Sequence, residues 1–246
     1  VSMIKKLVGF DTVSRESNLP LIDFVQNILD DQGIDSRRVP SADGQKSNLI
    51  ATVGPSEAGG VVLSGHTDVV PVDGQDWDSD PFTLMRSGSR LYGRGSCDMK
   101  GFIGIALALV PKMVNLRRPI HFALSYDEEV GCLGAPDMIE VIRRELPEPQ
   151  GVIVGEPTTM GAVIGHKGMV GLRTVVRGYE AHSSLTHRGV SAVMTAARLV
   201  SHLESVAQDL AKKTPRDNGF EPHHTSVHVG VIHGGTALNI ISGECE

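Results

Sequence analysis

Cysteine is scarce in this sequence and poorly placed for a framework: the chain holds three, Cys97, Cys132 and Cys245, with no CxxC among them. An odd number of widely spaced cysteines excludes a disulfide scaffold and a structural cysteine zinc site, and predicts reduced thiols. No apolar run approaches the ~20 residues that cross a bilayer. The opening Val1-Ser2-Met3-Ile4-Lys5-Lys6 leads into an amphipathic pattern rather than a signal peptide. An intracellular, cytoplasmic protein with no membrane partner is therefore expected. Basic residues are outnumbered, 23 Lys and Arg against 29 Asp and Glu, for a net charge of −6. That balance argues against a nucleic-acid partner, whose phosphates need excess positive charge. Neither GxGxxG nor GxxxxGK[ST] occurs, so the glycine-rich loop at 93–101 is not a phosphate cradle of either kind. Internal repeats and low-complexity tracts are also absent.

What is present alternates between strand and helix. A composition of 40% hydrophobic and 21% charged residues is ordinary for a globular chain, and 246 residues leave room for two domains. Leu21, Val25, Ile28 and Leu29 follow helical spacing between Ser17-Asn18 and Gly33, which supply a start and a stop signal. Strands are predicted over 48–53 and 60–65. After a loop rich in Asp, Gly and Pro at 71–82, a strand-like 91–95 leads to Asp98. A helix over 100–114, a strand over 119–126, a helix over 133–145 and a strand over 151–155 complete an α/β series. Beyond Gly165 the character changes. A strand-like 169–177, a helix over 191–212, a polar segment with Pro215 and Pro222, and a strand over 225–232 suggest an α+β module. The boundary is placed near Gly165, giving domains 1–165 and 166–246.

Three of the predicted strands stop on histidine or acids: Val61-Val62-Leu63-Ser64-Gly65-His66-Thr67-Asp68, His121-Phe122-Ala123-Leu124-Ser125-Tyr126-Asp127-Glu128-Glu129, and Gly151-Val152-Ile153-Val154-Gly155-Glu156. Buried parallel strands read as continuous apolar runs, and open α/β sheets bind ligands beyond the strands' carboxyl ends. The pattern therefore predicts one histidine and several carboxylates at one sheet edge, which is the makeup of a metal site. Each motif also has a plainer meaning. His66-Thr67-Asp68 points two side chains the same way, so Asp68 can accept the second ring N–H of a metal-bound histidine, or simply satisfy a core histidine. Asp98, in a glycine-rich loop entering a helix, has two oxygens that can bridge two cations ~3.5–4 Å apart. Glu128-Glu129 reads either as a solvated charge cluster or, beside a dication, as one proton carrier and one ligand. Glu156 alone can be a loop acid, and His182 reads locally as a loop histidine. Co-location decides: several such coincidences at one sheet edge are jointly improbable.

Six motifs occur in order over essentially the whole chain. They are Gly65-His66-Thr67-Asp68-Val69-Val70-Pro71-Val72, Gly93-Arg94-Gly95 through Asp98-Met99-Lys100-Gly101, Asp127-Glu128-Glu129-Val130-Gly131, Gly155-Glu156-Pro157-Thr158, Ala181-His182-Ser183 and Gly234-Gly235-Thr236-Ala237-Leu238-Asn239. Together they resemble the co-catalytic zinc amidohydrolases and peptidases, the family of acetylornithine deacetylases, succinyl-diaminopimelate desuccinylases and aminoacylases. Phe10-Asp11-Thr12-Val13-Ser14-Arg15, Glu129-Val130-Gly131-Cys132-Leu133-Gly134 and Gly165-His166-Lys167-Gly168 are most similar to the acetylornithine deacetylase branch.

The resemblance implies an α/β fold: a zinc-peptidase-like catalytic domain with a mixed, largely parallel sheet and helices on both faces, plus an inserted α+β lid and dimerisation domain. It implies two zinc ions, with cobalt as a substitute: His66 and Glu156 on one, Glu129 on the other, Asp98 bridging. Glu128 is then the general base and Asp68 holds His66. His182 reaches across a homodimer to polarise the substrate carbonyl, Asn239 lies near the substrate in the lid, and the Asp98–Met99 peptide is cis. The implied substrate is a small N-acyl amino acid, foremost N2-acetyl-L-ornithine, hydrolysed to L-ornithine and acetate in arginine biosynthesis. Desuccinylation of succinyl-diaminopimelate, broader N-acyl amino acid deacylation and dipeptide hydrolysis are alternatives, as is an inactive metal-binding or dimerising fragment. One departure stands out. The family's second zinc also takes a histidine from late in the catalytic domain, whereas this sequence stops at Glu246 within an apparent lid strand. Both domains are accordingly expected to be incomplete here, with at most about one tightly held zinc and no turnover by the 246 residues alone.

Overall fold

The computed structural model describes residues 1–213 and 216–246, so Pro215 of the predicted polar segment lies outside the described residues. Two compact units are present, Val1–Gly161 and Ala162–Glu246. The first contains, in chain order, α1 (Ser2–Val8), α2 (Leu19–Asp30), β1 (Ser36–Pro40), β2 (Ser47–Val53), β3 (Val61–His66), β4 (Met85–Ser87), β5 (Arg90–Tyr92), α3 (Lys100–Leu109), β6 (Ile120–Ser125), α4 (Ala135–Glu145) and β7 (Gly151–Val154). α3 stops sooner than its apolar spacing suggests. Pro111 has no N–H with which to continue the helical ladder, and Val110–Lys112 closes the helix as a single 3-10 turn.

Five strands form one sheet in the order β1-β2-β6-β3-β7. β1/β2 and β2/β6 are antiparallel, while β6/β3 and β3/β7 are parallel, so the sheet is mixed with its parallel half at one side. Alternation along the strands divides the core between two faces. Leu49, Ala51, Val53, Phe122 and Leu124 meet Leu21, Ile22, Val25 and Leu29 of α2 and Ile103, Ala106 and Leu107 of α3. Ile50, Val62 and Ala123 turn the other way, onto Met138 of α4 with Val141 and Ile142. Helices thus cover both faces, as expected. Leu21, Leu49 and Phe122 are fully buried, each contributing about 1.5–3 kcal/mol through burial.

The parallel half positions the site. β3 and β6 are in register to their ends, with Gly65 opposite Leu124 and His66 opposite Ser125, and β7 joins with Ser64 opposite Val154. Three carboxyl ends therefore open into three adjacent loops.

The second unit contains β8 (Val176–Arg177), β9 (Ala181–His182), α5 (Ala192–Lys213), β10 (Ile240–Ile241) and β11 (Glu244–Cys245). β9 pairs with β10 and β8 with β11, both antiparallel. Ala192 and Ala196 of α5 pack with Cys245, flanked by Val176 and Val193. The predicted strands here are largely corrected. Of 169–177 only Val176–Arg177 is a strand, and 225–232 enters none; Met169, Val170, Leu172 and Val231 are exposed. An apolar, β-branched run becomes a strand only where a neighbour takes up its backbone N–H and C=O groups, and among the described residues none does so there.

Candidate metal centre

His66 closes β3 and is 2% exposed. Its Nδ1 lies 2.8 Å from the main-chain carbonyl of Asp68 and 3.6 Å from the Asp68 carboxylate. A neutral imidazole that donates from Nδ1 presents the Nε2 lone pair to a ligand. Nε2 faces acids: Asp98 Oδ1 at 2.9 Å, Glu156 Oε1 at 3.7 Å and Glu128 Oε2 at 4.0 Å. The orienting contact expected from Asp68 is therefore made chiefly by its carbonyl.

The Asp68 carboxylate has a second task. It accepts from the Ser14 hydroxyl at 2.7 Å, the Glu128 N–H at 3.1 Å and the Glu129 N–H at 3.2 Å. One buried carboxylate thus anchors the acid-bearing loop after β6 to the end of β3. Asn48, fully buried on β2, holds the same loop by its ends: its Oδ1 accepts from Tyr126 N–H at 3.3 Å and its Nδ2 donates to the Gly134 carbonyl at 2.9 Å. The sequence reading missed Ser14 and Asn48. The available signal was a pair of polar residues, Ser47-Asn48, opening an otherwise apolar strand.

Asp98 and Glu156 arrive by tight backbone packing. The Asp98–Met99 peptide is cis, as the resemblance implied. The buried Met99 places its sulfur 3.2 Å from the His66 backbone N–H, which donates to it. A Cβ on Gly101 would lie 2.3 Å from the Ser96 carbonyl oxygen, and one on Gly155 would lie 2.1 Å from the Phe102 ring. Only glycine admits these approaches, which bring Asp98 and Glu156 towards His66. Lys100 begins α3 fully buried, its ammonium donating to the Phe10 carbonyl at 2.7 Å. Burial pushes Lys100 down to about 7, against the pull of Asp11 and Asp68.

The electrostatics are those of several acids gathered around one buried histidine. Burial alone would depress His66, but Asp68 and Asp98 raise it to about 9, so without another cation the ring is an imidazolium between carboxylates. Burial, with repulsion from Asp98 and Glu128, pushes Glu156 up to about 6. Glu129 is likewise raised, first by burial and then by Asp98. Among the described residues no Lys or Arg pairs with Asp98, Glu128, Glu129 or Glu156. Four carboxylates gathered on one histidine with no Lys or Arg among them, two of which, Glu129 and Glu156, are raised by burial and by neighbouring acids, are a donor set suited to a dication. Donor atoms of His66, Asp98 and Glu156 lie within 4.8 Å of one another, and so do those of His66, Glu128 and Glu129. The residues present therefore fit a divalent metal centre.

All six candidates from the first domain, His66, Asp68, Asp98, Glu128, Glu129 and Glu156, come together there. His182 and Asn239 lie in the second unit, next to each other. His182 pairs with Ile240 across β9/β10, and the Ser183 N–H donates to the Asn239 carbonyl at 2.9 Å. The His182 ring is exposed, its Nδ1 accepting from the Ser184 N–H at 3.2 Å.

The chain is similar to known proteins over most of its length. Residues 62–234 match the model of peptidase family M20/M25/M40. The acetylornithine deacetylase of Myxococcus xanthus is 39% identical over 248 residues, covering 99% of this chain and 64% of that protein. The acetylornithine deacetylase of Pasteurella multocida is 33% identical, covering 100% of this chain and 65% of that protein. The chain thus spans just under two thirds of the length of these curated relatives. Among solved structures, human carnosine dipeptidase 1 aligns with a TM-score of 0.67 at 16% identity, over 99% of this chain and 67% of that one. The M20 family metallo-carboxypeptidase Sso-CP2 of Sulfolobus solfataricus aligns with a TM-score of 0.66 at 17% identity, over 99% and 68%. These two likenesses concern the fold alone.

Proposed function

The chain belongs to peptidase family M20/M25/M40, and from that premise we propose that it is the N-acyl amino acid hydrolase part of an acetylornithine deacetylase, taking N2-acetyl-L-ornithine and water to L-ornithine and acetate. The observation that carries the chemistry is the convergence of four carboxylates, Asp98, Glu128, Glu129 and Glu156, on the buried His66 at the ends of parallel strands. The choice of acyl substrate rests on the relatives at 39% and 33% identity.

In this proposal His66, Asp98 and Glu156 hold one zinc ion and Asp98 with Glu129 hold a second, with cobalt as a working substitute. When bound, the metal pair acidifies a water towards neutrality and polarises the acyl carbonyl. Glu128 stands one residue before a ligand, with a partly exposed carboxylate 4.0 Å from the His66 ring. It takes a proton from the attacking water as the C–O bond forms, and returns it to the amine nitrogen as the C–N bond breaks. Asp68 keeps His66 and the Glu128-Glu129 backbone in register. The second unit is assigned as a lid through which two copies associate, so that the carbonyl held by one protomer is polarised by His182 of the partner subunit. Asn239, adjacent to His182, contacts the substrate. A role in arginine biosynthesis and a cytoplasmic location are part of the same proposal.

The test is a comparison of kcat/KM for N2-acetyl-L-ornithine, N-succinyl-diaminopimelate, N-acetylmethionine and a dipeptide, using the full-length gene product with zinc. Preference for acetylornithine supports the proposal. Preference for another of these moves the substrate within the class, and no hydrolysis of any of them removes the enzymatic proposal.

A further inference from the structure

The loop that carries Glu128 and Glu129 begins at a strained point. Asp127 has φ +55°, the left-handed region that a residue with a side chain avoids unless its surroundings hold it there. Glycine would adopt it freely, and the chain does not use glycine. What holds Asp127 is Lys46, immediately before β2 and distant in sequence. The Lys46 ammonium donates to Asp127 Oδ1 at 2.5 Å and also to the Ser14 main-chain carbonyl. Both members of the ion pair are largely enclosed, their side chains 17% and 12% exposed.

These contacts close a ring. Lys46 joins Asp127 to the Ser14 carbonyl, the Ser14 hydroxyl donates to Asp68, and Asp68 accepts from the Glu128 and Glu129 N–H groups that directly follow Asp127. The acidic loop is therefore gripped on both sides of its left-handed residue, by a cation on its side chain and by an anion on the next two amides. Ser14 belongs to the opening Asp11-Thr12-Val13-Ser14-Arg15 segment. That segment is stitched beneath the centre by Thr12 Oγ1 donating to the Thr67 carbonyl at 2.6 Å and Val69 N–H donating to the Thr12 carbonyl at 3.0 Å.

We infer that Lys46 is a positioning residue for the metal centre: through Asp127 and Ser14 it sets the loop that places Glu128 and Glu129 opposite His66. The inference deepens the proposed function and rests on it for its catalytic meaning, but its geometry can be tested without metal. An enclosed ion pair with a second hydrogen bond fixes one loop conformation, and removing either charge leaves the other enclosed and unpaired.

The experiment measures amide hydrogen exchange in the metal-free chain for Lys46→Met and Lys46→Arg against the parent. Lys46→Met should lose protection at the Glu128 and Glu129 amides while the β2 and β6 amides keep theirs. Lys46→Arg, which retains the charge and donors, should restore it. Titration of the second zinc in the full-length protein should show Lys46→Met weakened by about 10–100-fold and Lys46→Arg close to the parent. If Lys46→Met does not fold, Lys46→Met/Asp127→Asn removes both enclosed charges and is read in the same way. Unchanged protection at 128–129, or an equal loss across the whole sheet, would overturn the inference. A parent chain that protects these amides yet binds no zinc would instead count against the proposed function and leave the positioning role standing.

Discussion

Replacing Asp68 with asparagine keeps the shape of the side chain and changes what it can accept. The two carboxylate oxygens receive three donors: the Ser14 hydroxyl and the Glu129 N–H at Oδ2, and the Glu128 N–H at Oδ1. In the better of its two orientations the amide oxygen takes the Oδ2 place and keeps two of them. The NH2 group then faces the Glu128 N–H, donor against donor. One buried N–H without a partner costs about 1–3 kcal/mol. In urea, with a slope of ~1–3 kcal/mol per M, the midpoint should fall by on the order of 1 M. Asp68→Ala orphans all three donors, and at ~1–3 kcal/mol each the sum reaches much of the ~5–15 kcal/mol that a domain has in total. Asparagine is therefore the informative variant. Had Asp68 only oriented His66, Asp68→Asn would leave the urea midpoint unchanged, since the His66 Nδ1 contact at 2.8 Å is to the backbone carbonyl that asparagine retains. The assay is urea unfolding monitored by circular dichroism in excess chelator, followed by zinc titration of the folded variant. A lowered midpoint with zinc affinity reduced about 10–100-fold is expected. A midpoint equal to the parent's would refute the idea that this carboxylate anchors the acidic loop.

In the full-length protein, Glu128→Gln should retain its zinc while kcat falls by ~10²–10⁴, measured by ornithine release; loss of zinc would make Glu128 a ligand instead of the base. Gly155→Ala drives a methyl into the Phe102 ring 2.1 Å away and should cost about 1–3 kcal/mol while displacing Glu156, seen as a lower melting temperature together with weaker zinc binding. His121, buried on β6 with Nδ1 2.9 Å from Thr52 Oγ1, has its pKa lowered from 6.5 by burial. The unfolded chain then takes up this proton first, so stability should fall as pH drops from about 6.5 through the lowered folded value, and His121→Phe should flatten that part of a urea-midpoint-against-pH curve. An undiminished pH slope in that variant would assign the acid sensitivity to other groups.

The first unit was legible because its signals were local and mutually consistent. Runs such as 49–53, 61–63 and 120–124 are apolar, bounded by turn residues and separated by helical spacing, and their strands end on the residues that form the site. Asp68 was legible as a partner of His66 two residues away. Its larger task was not, because the amides it accepts from lie some 60 positions later and come within reach only when β3 and β6 pair. Lys46 was hidden for the same reason, its partners Ser14 and Asp127 being brought together by the fold from opposite directions along the chain. The second unit was misjudged at 169–175 and 225–232, where a strand-like run was taken as sufficient for a strand. Such a run suits a strand, and it supplies no hydrogen-bonding neighbour.

Zinc titration of the metal-free 246-residue chain, alongside His66→Ala and Glu156→Gln, tests most directly whether the acids gathered on His66 form a metal centre. Tight binding by the parent, abolished by His66→Ala and strongly weakened by Glu156→Gln with the fold retained, is the expected result. No binding by the folded parent, or equal binding by all three chains, would contradict it.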